Sequence, residues 1–227
     1  MQAQPTTPTV PAPLHGLRVL VTQADAFMGP ALCEVLAEQG AVVVASNAAL
    51  SAPHAAAEVV AAAGDIDVLV ANLALQAPST SAVEVEDAEW REVFAALVDP
   101  LPRLVRRGGG KVLVMGSASA LRGMKRASSY SAARGAQLAY VQAVGVELAP
   151  QRVQVNAIAQ NFVDNPTYFP PEVQANPRFQ ERLAREVPLG RLVAAREDAM
   201  FAAYLCSPAA SCFVGQVFPV CGGWVAR

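Results

Sequence analysis

The chain has 227 residues, of which 53% are hydrophobic and 16% charged, and its formal net charge is −2 at pH 7. This length suits one large hydrophobic core or two small domains. The small net charge gives no electrostatic reason to expect nucleic acid or an anionic membrane as a partner. No apolar run approaches the roughly 18 residues that a membrane-spanning helix needs.

The first residues of the chain resemble a tail more than a targeting signal. Residues 1–13 are rich in proline, threonine and alanine, and they lack the basic start and apolar centre of a signal peptide. We therefore expect a flexible tail over residues 1–13 and one catalytic domain over residues 14–227. Because the four cysteines show no Cys-x-x-Cys spacing, we also expect a cytoplasmic protein with reduced thiols.

Short apolar runs alternate with helix-compatible stretches along the chain. The predicted strands are residues 17–22, 41–45, 66–71, 112–115, 153–158 and 216–220. The predicted helices are residues 29–39, 55–63, 87–107, 127–148, about 172–186 and 197–205. This alternation predicts an α/β protein with a single Rossmann-like, doubly wound parallel sheet and helices on both faces.

The stretch from Gly116 to Arg134 carries the candidate catalytic groups. Ser117 is followed after twelve residues by Tyr130, and Tyr130 after three residues by Arg134. Ser117 comes directly after a buried strand, where open α/β sheets place their ligands. Tyr130 and Arg134 are one helical turn apart and share a helix face. A hydroxyl, a phenol and a fixed positive charge can therefore converge, which is what the deprotonation of a small alcohol requires.

This Ser-x12-Tyr-x3 spacing, the strand-turn-helix start and the strand that contains Asn156 resemble the short-chain dehydrogenase/reductase superfamily from about residue 14 to the C-terminus. In that superfamily a lysine follows the tyrosine by four positions, and a glycine-rich turn, Thr-Gly-x3-Gly-x-Gly, holds NAD(P). Here Gln23 and Phe27 stand where two of those glycines belong, and a phenylalanine ring blocks the approach of a pyrophosphate to the helix N-terminus.

Three further departures from the superfamily pattern concern the same ligand. They are Ser46-Asn47 in place of an acid for the ribose, residues 71–74 (Ala-Asn-Leu-Ala) in place of Asn-Asn-Ala-Gly, and Gln160-Asn161 in place of Pro-Gly. Because four departures surround one ligand, we expect no cofactor. We predict no metal site either, because neither of the two histidines, His15 and His54, lies in a His-Glu-x-x-His context.

Within the superfamily, the chain resembles the halohydrin dehalogenase family. The two signatures of that family are Thr-x4-Phe/Tyr-x-Gly and Ser-x12-Tyr-x3-Arg, and this chain has Thr22…Phe27-Met28-Gly29 and Ser117…Tyr130…Arg134. The resemblance implies the conversion of a vicinal haloalcohol to an epoxide with release of halide and a proton, and the reverse opening of epoxides by small anions. Tyr130 would be the base, Ser117 would hold the substrate hydroxyl, and the Arg134 guanidinium would lower the tyrosine pKa.

The resemblance implies that the aromatic loop over residues 160–171, which follows a strand, lines the halide site. A leaving halide suits backbone N–H donors and aromatic edges, and we expect Phe162 and Val163 to supply those amides. The expected halide-binding and substrate-binding residues are Phe27, Asn161, Phe162, Val163, Tyr168 and Phe169.

The resemblance also implies a homotetramer, formed by helices 89–107 and 130–148. Apolar side chains such as Val141, Val144 and Leu148 would lie on the intersubunit face.

Two alternatives remain open. One is an NAD(P)-dependent short-chain reductase with an atypical cofactor turn, in which Arg134 replaces the lysine. The other is a non-enzymatic scaffold of the same fold.

Overall fold

A computed structural model describes residues 12–52, 54–98 and 109–226. The predicted tail, residues 1–13, falls almost wholly outside these ranges. The strands are β1 Arg18–Thr22, β2 Val42–Ser46, β3 Val68–Asn72, β4 Gly110–Ser117, β5 Val153–Gln160 and β6 Val217–Val220. The helices are α1 Gly29–Glu38, α2 Ala55–Ala63, α3 Asp87–Leu97, α4 Ser119–Arg122, α5 Ser128–Leu148, α6 Pro171–Gln174, α7 Pro177–Glu186 and α8 Ala195–Cys206.

The strands form one six-stranded sheet in the order β2-β1-β3-β4-β5-β6, and every pairing is parallel. All five residues of β3 are buried, as expected of a central strand that helices cover on both faces. Helix α5 packs on β4 and β5, and α1 packs on α8. The predicted Rossmann-like doubly wound sheet is therefore confirmed.

The direction of chain progression reverses at β1, because β2 pairs with one of its edges and β3 with the other. Open α/β sheets bind their ligands in the crevice outside the carboxyl ends of the strands at such a switch point. In a dinucleotide-binding protein of this topology, the crevice between the ends of β1 and β3 would take the pyrophosphate. The turn after β1 and the loop after β3 therefore decide what this edge of the sheet can hold.

Strands β4 and β5 both extend two residues beyond the predicted ends. They pair without interruption from Gly110 and Val153 to Ser117 and Gln160. Ser117 and Gln160 are buried, so their backbone N–H and C=O groups need partners, and pairing between the two strands provides them. Ser117 and Gln160 are thus neighbours at the same edge of the sheet.

The single helix predicted over residues 172–186 was wrong, because the structure has two helices, α6 and α7, in that region. Pro177 has no N–H for a continuing helix, and the Asn176 side chain begins α7 by accepting a hydrogen bond from the Arg178 N–H at 3.0 Å. The predicted helix over residues 87–107 is observed as α3, and its last nine residues, 99–107, lie outside the described ranges.

One residue proposed for the intersubunit face is inside the protomer. Val141 is fully buried and belongs to the core cluster on the α5 face of the sheet, whereas Val146 on the same helix is 69% exposed. The homotetramer stays a prediction. No helix in the described part of the chain is both long and apolar enough to cross a membrane.

We predict opposite effects of Gly→Ala at two positions of α5. A Cβ at Gly145 would lie 2.6 Å from Gly215 Cα and 2.9 Å from the Val155 carbonyl oxygen, whereas one at Gly135 would meet nothing within 4 Å. Gly145→Ala should lower the free energy of unfolding by about 1–3 kcal/mol, because backbone must move. Gly135→Ala should raise it by up to about 1 kcal/mol through helix propensity. Urea unfolding of both variants checks this, and equal shifts would contradict the packing described here.

Candidate active site

Ser117 is the last residue of β4, so its hydroxyl lies at the carboxyl end of the sheet. Its Oγ is 2.9 Å from Ser119 Oγ and accepts a hydrogen bond from the Ser119 N–H at 3.2 Å. When Ser119 also donates its hydroxyl proton, the Ser117 hydroxyl is free to donate to a substrate oxygen. Ser119 was not among the predicted site residues, and its short spacing from Ser117 is the only sequence signal for this contact.

Tyr130 is the third residue of α5 and is buried. The Arg134 Cζ atom lies 5.2 Å from the centroid of the Tyr130 ring, one helical turn away. The Tyr130 hydroxyl is 3.5 Å from the Tyr168 hydroxyl. The phenol therefore lies between a fixed cation and a second phenol.

The Arg134 guanidinium is almost fully buried, with 1% of the residue exposed. It donates hydrogen bonds to the Leu73 carbonyl at 3.0 Å, the Met115 carbonyl at 3.2 Å and Gln137 Oε1 at 3.0 Å. These bonds join α5 to β4 and to the loop after β3. Within residues 12–52, 54–98 and 109–226, no carboxylate forms an ion pair with Arg134.

Opposing effects act on the pKa of Tyr130. Burial alone would raise it, but the Arg134 charge and hydrogen bonding with Tyr168, Arg134 and Ser117 together hold the pKa below its ordinary value. The pKa of Tyr168 is raised by burial and by its proximity to Tyr130. Of the two phenols, Tyr130 is thus the one that ionises more readily.

Ser117 and Tyr130 line a cavity of about 230 Å³. The structure brings eight of the nine predicted site residues to its wall: Phe27, Ser117, Tyr130, Asn161, Phe162, Val163, Tyr168 and Phe169. The ninth, Arg134, is not in the wall. It lies beside the ring of Tyr130 and can act on a substrate only through that residue.

Sequence reasoning missed part of the cavity wall. The additional lining residues include Ala77, Met124, Asn165, Val173, Phe179 and Arg182. Phe179 and Arg182 come from α7, which packs its aromatic ring against Phe169 at a centroid distance of 5.4 Å. The aromatic loop ends directly before α6 and α7, and this closeness in sequence is the signal that could have placed these helices at the cavity.

The loop after β5 is held by its own side chains. Phe162 has a φ of +52°, and its N–H donates to Asn161 Oδ1 at 2.9 Å. Asn165 Nδ2 donates to the Val163 carbonyl at 2.7 Å, and Asn165 Oδ1 accepts from the Tyr168 N–H at 2.9 Å. A halide that used the Phe162 amide would therefore have to replace the Asn161 oxygen. The role of this amide stays a prediction.

Side chains cross the crevice between the ends of β1 and β3. Asn72 Nδ2 donates to the carbonyls of Gln23 and Ala26 at 2.8 and 2.9 Å, and Gln23 Oε1 accepts from the Ala74 N–H. The edge of the Phe27 ring contacts Tyr168 at a centroid distance of 5.8 Å.

The turn after β1 keeps the left-handed backbone that glycine favours, with φ of +45° at Gln23 and +53° at Phe27. It nevertheless carries two large side chains. Those side chains occupy space at the helix N-terminus that a pyrophosphate would need. Both terminal nitrogens of the Arg134 guanidinium donate to backbone carbonyls, and one of them also donates to Gln137. The residues present at this turn do not fit a bound dinucleotide.

A buried carboxyl group lies behind the cavity. Gln160, which lines the cavity, donates a hydrogen bond through Nε2 to Asp198 Oδ2 on α8. Asp198 is fully buried, and burial raises its pKa to about 7. Among the described residues, no group of three or more His, Cys, Asp or Glu side chains is arranged to hold a metal ion.

The fold and the Ser-Tyr pair at the end of β4 define an enzyme of the short-chain dehydrogenase/reductase class. Residues 14–225 match the family described as Enoyl-(Acyl carrier protein) reductase, and the chain belongs to that family of the short-chain dehydrogenase/reductase superfamily.

One curated relative and two solved structures show what the chain is similar to. The chain is 32% identical to a galactitol 2-dehydrogenase (L-tagatose-forming) of Cereibacter sphaeroides, over 91% of this chain and 84% of that protein. A solved structure described as a dehalogenation enzyme is 29% identical, with a TM-score of 0.86, and the match covers 93% of this chain and 99% of that one. The L-sorbose reductase of Gluconobacter frateurii, solved with NADPH and L-sorbose, shares the fold with a TM-score of 0.87, at 21% identity over 96% and 100% of the two chains.

We predict that the buried Asp198 makes the stability of the protein fall between pH 4 and pH 7. In the unfolded chain an aspartate ionises near pH 3.9, whereas the folded pKa is about 7. Between these values the folded state holds a proton that the unfolded state has released. The contribution of this proton to the free energy of unfolding is therefore full below pH 4 and is lost as the pH rises to 7.

Asp198→Asn should remove this loss, because the amide cannot ionise. Relative to the unmodified protein, the variant should gain on the order of a few kcal/mol as the pH rises from 4 to 7. Denaturant unfolding at a series of pH values measures the difference. Asp87→Asn, at a carboxyl group whose side chain is 91% exposed, is the control. A constant difference between the Asp198 variant and the unmodified protein across this range would refute the assignment.

Proposed function

We propose that the protein is a cofactor-independent halohydrin dehalogenase, which converts vicinal haloalcohols to epoxides and opens epoxides with small anions. The observation that carries the proposal is the buried Arg134 guanidinium beside Tyr130, with no carboxylate paired to it in the described part of the chain. A buried cation stabilises the phenolate form of the neighbouring tyrosine. A phenolate is the base that an alcohol substrate needs.

In the proposed reaction the substrate hydroxyl lies between Ser117 and Tyr130. Ser117 donates a hydrogen bond to the substrate oxygen and orients it, and the Tyr130 phenolate takes the hydroxyl proton. The oxygen then forms a bond to the neighbouring carbon as the carbon–halogen bond breaks, and the halide leaves with the bonding electrons. Tyr130 passes its proton to solvent, so that haloalcohol gives epoxide, halide and a proton.

The side chains that bridge the crevice between the ends of β1 and β3 support a mechanism without a hydride acceptor. Gln23 bonds to Ala74, and Phe27 contacts Tyr168, where a dinucleotide would pass. A Ser-Tyr pair without nicotinamide can still move a proton, and the electrons must then go to a leaving group. The 29% identity to the dehalogenation enzyme over almost the whole chain is consistent with this.

We predict that the purified protein releases chloride from 1,3-dichloro-2-propanol or from a longer haloalcohol. Tyr130→Phe should lower kcat by about 10²–10⁴-fold or more, because the base is lost. Tyr140→Phe, on the same helix, is the matched control and should keep activity. Halide release measured against time gives the rates. A Tyr130→Phe variant as active as the unmodified protein would exclude Tyr130 as the base.

A second candidate is NAD(P)-dependent reduction, and the curated relatives favour it as a class. Their names are predominantly those of dehydrogenases and reductases, including the galactitol 2-dehydrogenase. In that case Ser117 and Tyr130 would protonate a carbonyl oxygen, and the turn at Gln23 and Phe27 would have to open to admit the pyrophosphate.

Cofactor binding separates the two candidates. Titration of NADH and NADPH, followed by nucleotide fluorescence, should show no submillimolar binding if the crevice stays crossed as described. Submillimolar binding together with carbonyl reduction would establish the reductase instead. If the protein shows neither halide release nor cofactor binding, the non-enzymatic scaffold is the alternative that remains.

A further inference from the structure

A basic groove of about 810 Å³ lies beside the cavity. Among the residues that the structure describes, its lining contains five cationic side chains and one carboxylate, that of Glu186, and the cations are Arg122, Lys125, Arg126, Arg182 and Arg185. The whole chain has a net charge of −2, so this local excess of four positive charges runs against the overall balance. The proposed catalytic step uses none of these side chains.

The groove and the cavity share part of their walls. Ala77, Met124, Tyr168 and Arg182 line both. The Arg182 Cζ atom lies 5.3 Å from the centroid of the Phe162 ring, inside the cavity wall. A substrate whose hydroxyl reached Ser117 and Tyr130 could therefore extend a substituent past Tyr168 into a positively charged space.

The bonds within the groove leave donors available. Arg126 Nη2 donates to the Ser79 carbonyl at 3.1 Å, and Arg122 Nη1 donates to the Trp224 carbonyl. Glu186 accepts from Arg182 and Arg185 at 3.3 and 3.2 Å. A guanidinium has five N–H donors, so these bonds do not use all the donors of Arg122 and Arg126.

The single carboxylate in the groove does not neutralise it. Burial opposes ionisation of Glu186, but the charge of Arg182 and hydrogen bonds from Arg185 and Arg182 outweigh it and lower its pKa. Glu186 is therefore an anion at neutral pH, and its one charge faces five. Clustered guanidinium groups favour carboxylates and phosphates, because two parallel N–H donors match two anionic oxygens.

We propose that the basic groove binds an anionic substituent, a carboxylate or a phosphate, on the substrate that reacts in the cavity. The substrate class is then a haloalcohol or epoxide that carries such a group next to the reacting carbons. This inference rests on the proposed function for the reaction, but not for the binding of the anion. Both groups present anionic oxygens that accept hydrogen bonds from guanidinium groups. Substrates that carry one or the other distinguish them.

The test compares two substrates of equal size, 4-chloro-3-hydroxybutanoate and its uncharged amide, 4-chloro-3-hydroxybutanamide. At low ionic strength, kcat/KM for chloride release should be at least about tenfold higher for the carboxylate, and added salt should reduce this ratio. The matching phosphate pair is 3-chloro-2-hydroxypropyl phosphate and 3-chloro-1,2-propanediol. The pair with the larger ratio identifies the preferred anion.

Charge variants assign the effect to the groove. Lys125→Gln and the double variant Lys125→Gln/Arg126→Gln should each lower the carboxylate-to-amide ratio severalfold and leave the rate with the amide unchanged. Arg91→Gln removes one exposed positive charge from α3 and should leave the ratio unaltered. Equal kcat/KM for the charged and uncharged member of both pairs would overturn the proposal, as would a ratio that the groove variants do not change.

Binding to the unmodified protein separates this inference from the proposed function. Calorimetric titration with the same two butanoic compounds should show the carboxylate binding about tenfold more tightly than the amide, with the difference reduced in Lys125→Gln. If neither compound releases chloride but this difference holds, the dehalogenation is wrong and the anion site stands. If both release chloride and bind equally, the dehalogenation stands and the anion site is wrong.

Discussion

The arrangement of this site depends on one buried charge, the guanidinium of Arg134. Removing a cation from water costs several kcal/mol, which hydrogen bonds and a nearby anion must offset. Here the Leu73 and Met115 carbonyls and Gln137 Oε1 accept its hydrogen bonds, and the Tyr130 ring lies 5.2 Å away. In the described part of the chain the group that can offer Arg134 a negative charge is the Tyr130 phenol. The fold therefore stabilises the guanidinium and, through it, the phenolate form of Tyr130, the base of the proposed reaction.

The end of β3 links that charge to the closed crevice. The Asn72 side chain holds the turn after β1 through the Gln23 and Ala26 carbonyls, and the next residue, Leu73, gives its carbonyl to Arg134. Two adjacent residues thus fix both the turn that would contact a pyrophosphate and the cation that acts on Tyr130. The structure thus connects the two departures from the superfamily pattern, the turn without its glycines and the arginine four positions after the tyrosine.

Local pattern was sufficient to predict the sheet, because apolar runs and helical spacing are properties of neighbouring residues. The family resemblance predicted eight of the sixteen described residues that line the cavity. Contacts between distant segments were not predictable in this way. The Gln160–Asp198 hydrogen bond joins residues 38 positions apart. Arg182 reaches the cavity from α7, which begins at Pro177, whereas the sequence predicted a helix from residue 172. Ser119 was missed for another reason: its importance comes from the geometry of one hydroxyl pair, and serine at a strand end usually serves a turn.

The most direct test of this account is the pKa of Tyr130 itself. Tyrosine labelled with ¹³C at Cζ gives one resonance for each of the four tyrosines, and Tyr130→Phe identifies the resonance that disappears. A titration followed by this resonance should give a pKa below the ordinary value of about 10, and Arg134→Gln should raise that pKa in a variant whose circular dichroism shows it to be folded. A Tyr130 pKa at or above about 10 in the unmodified protein would contradict the claim that Arg134 holds this residue ready to act as a base.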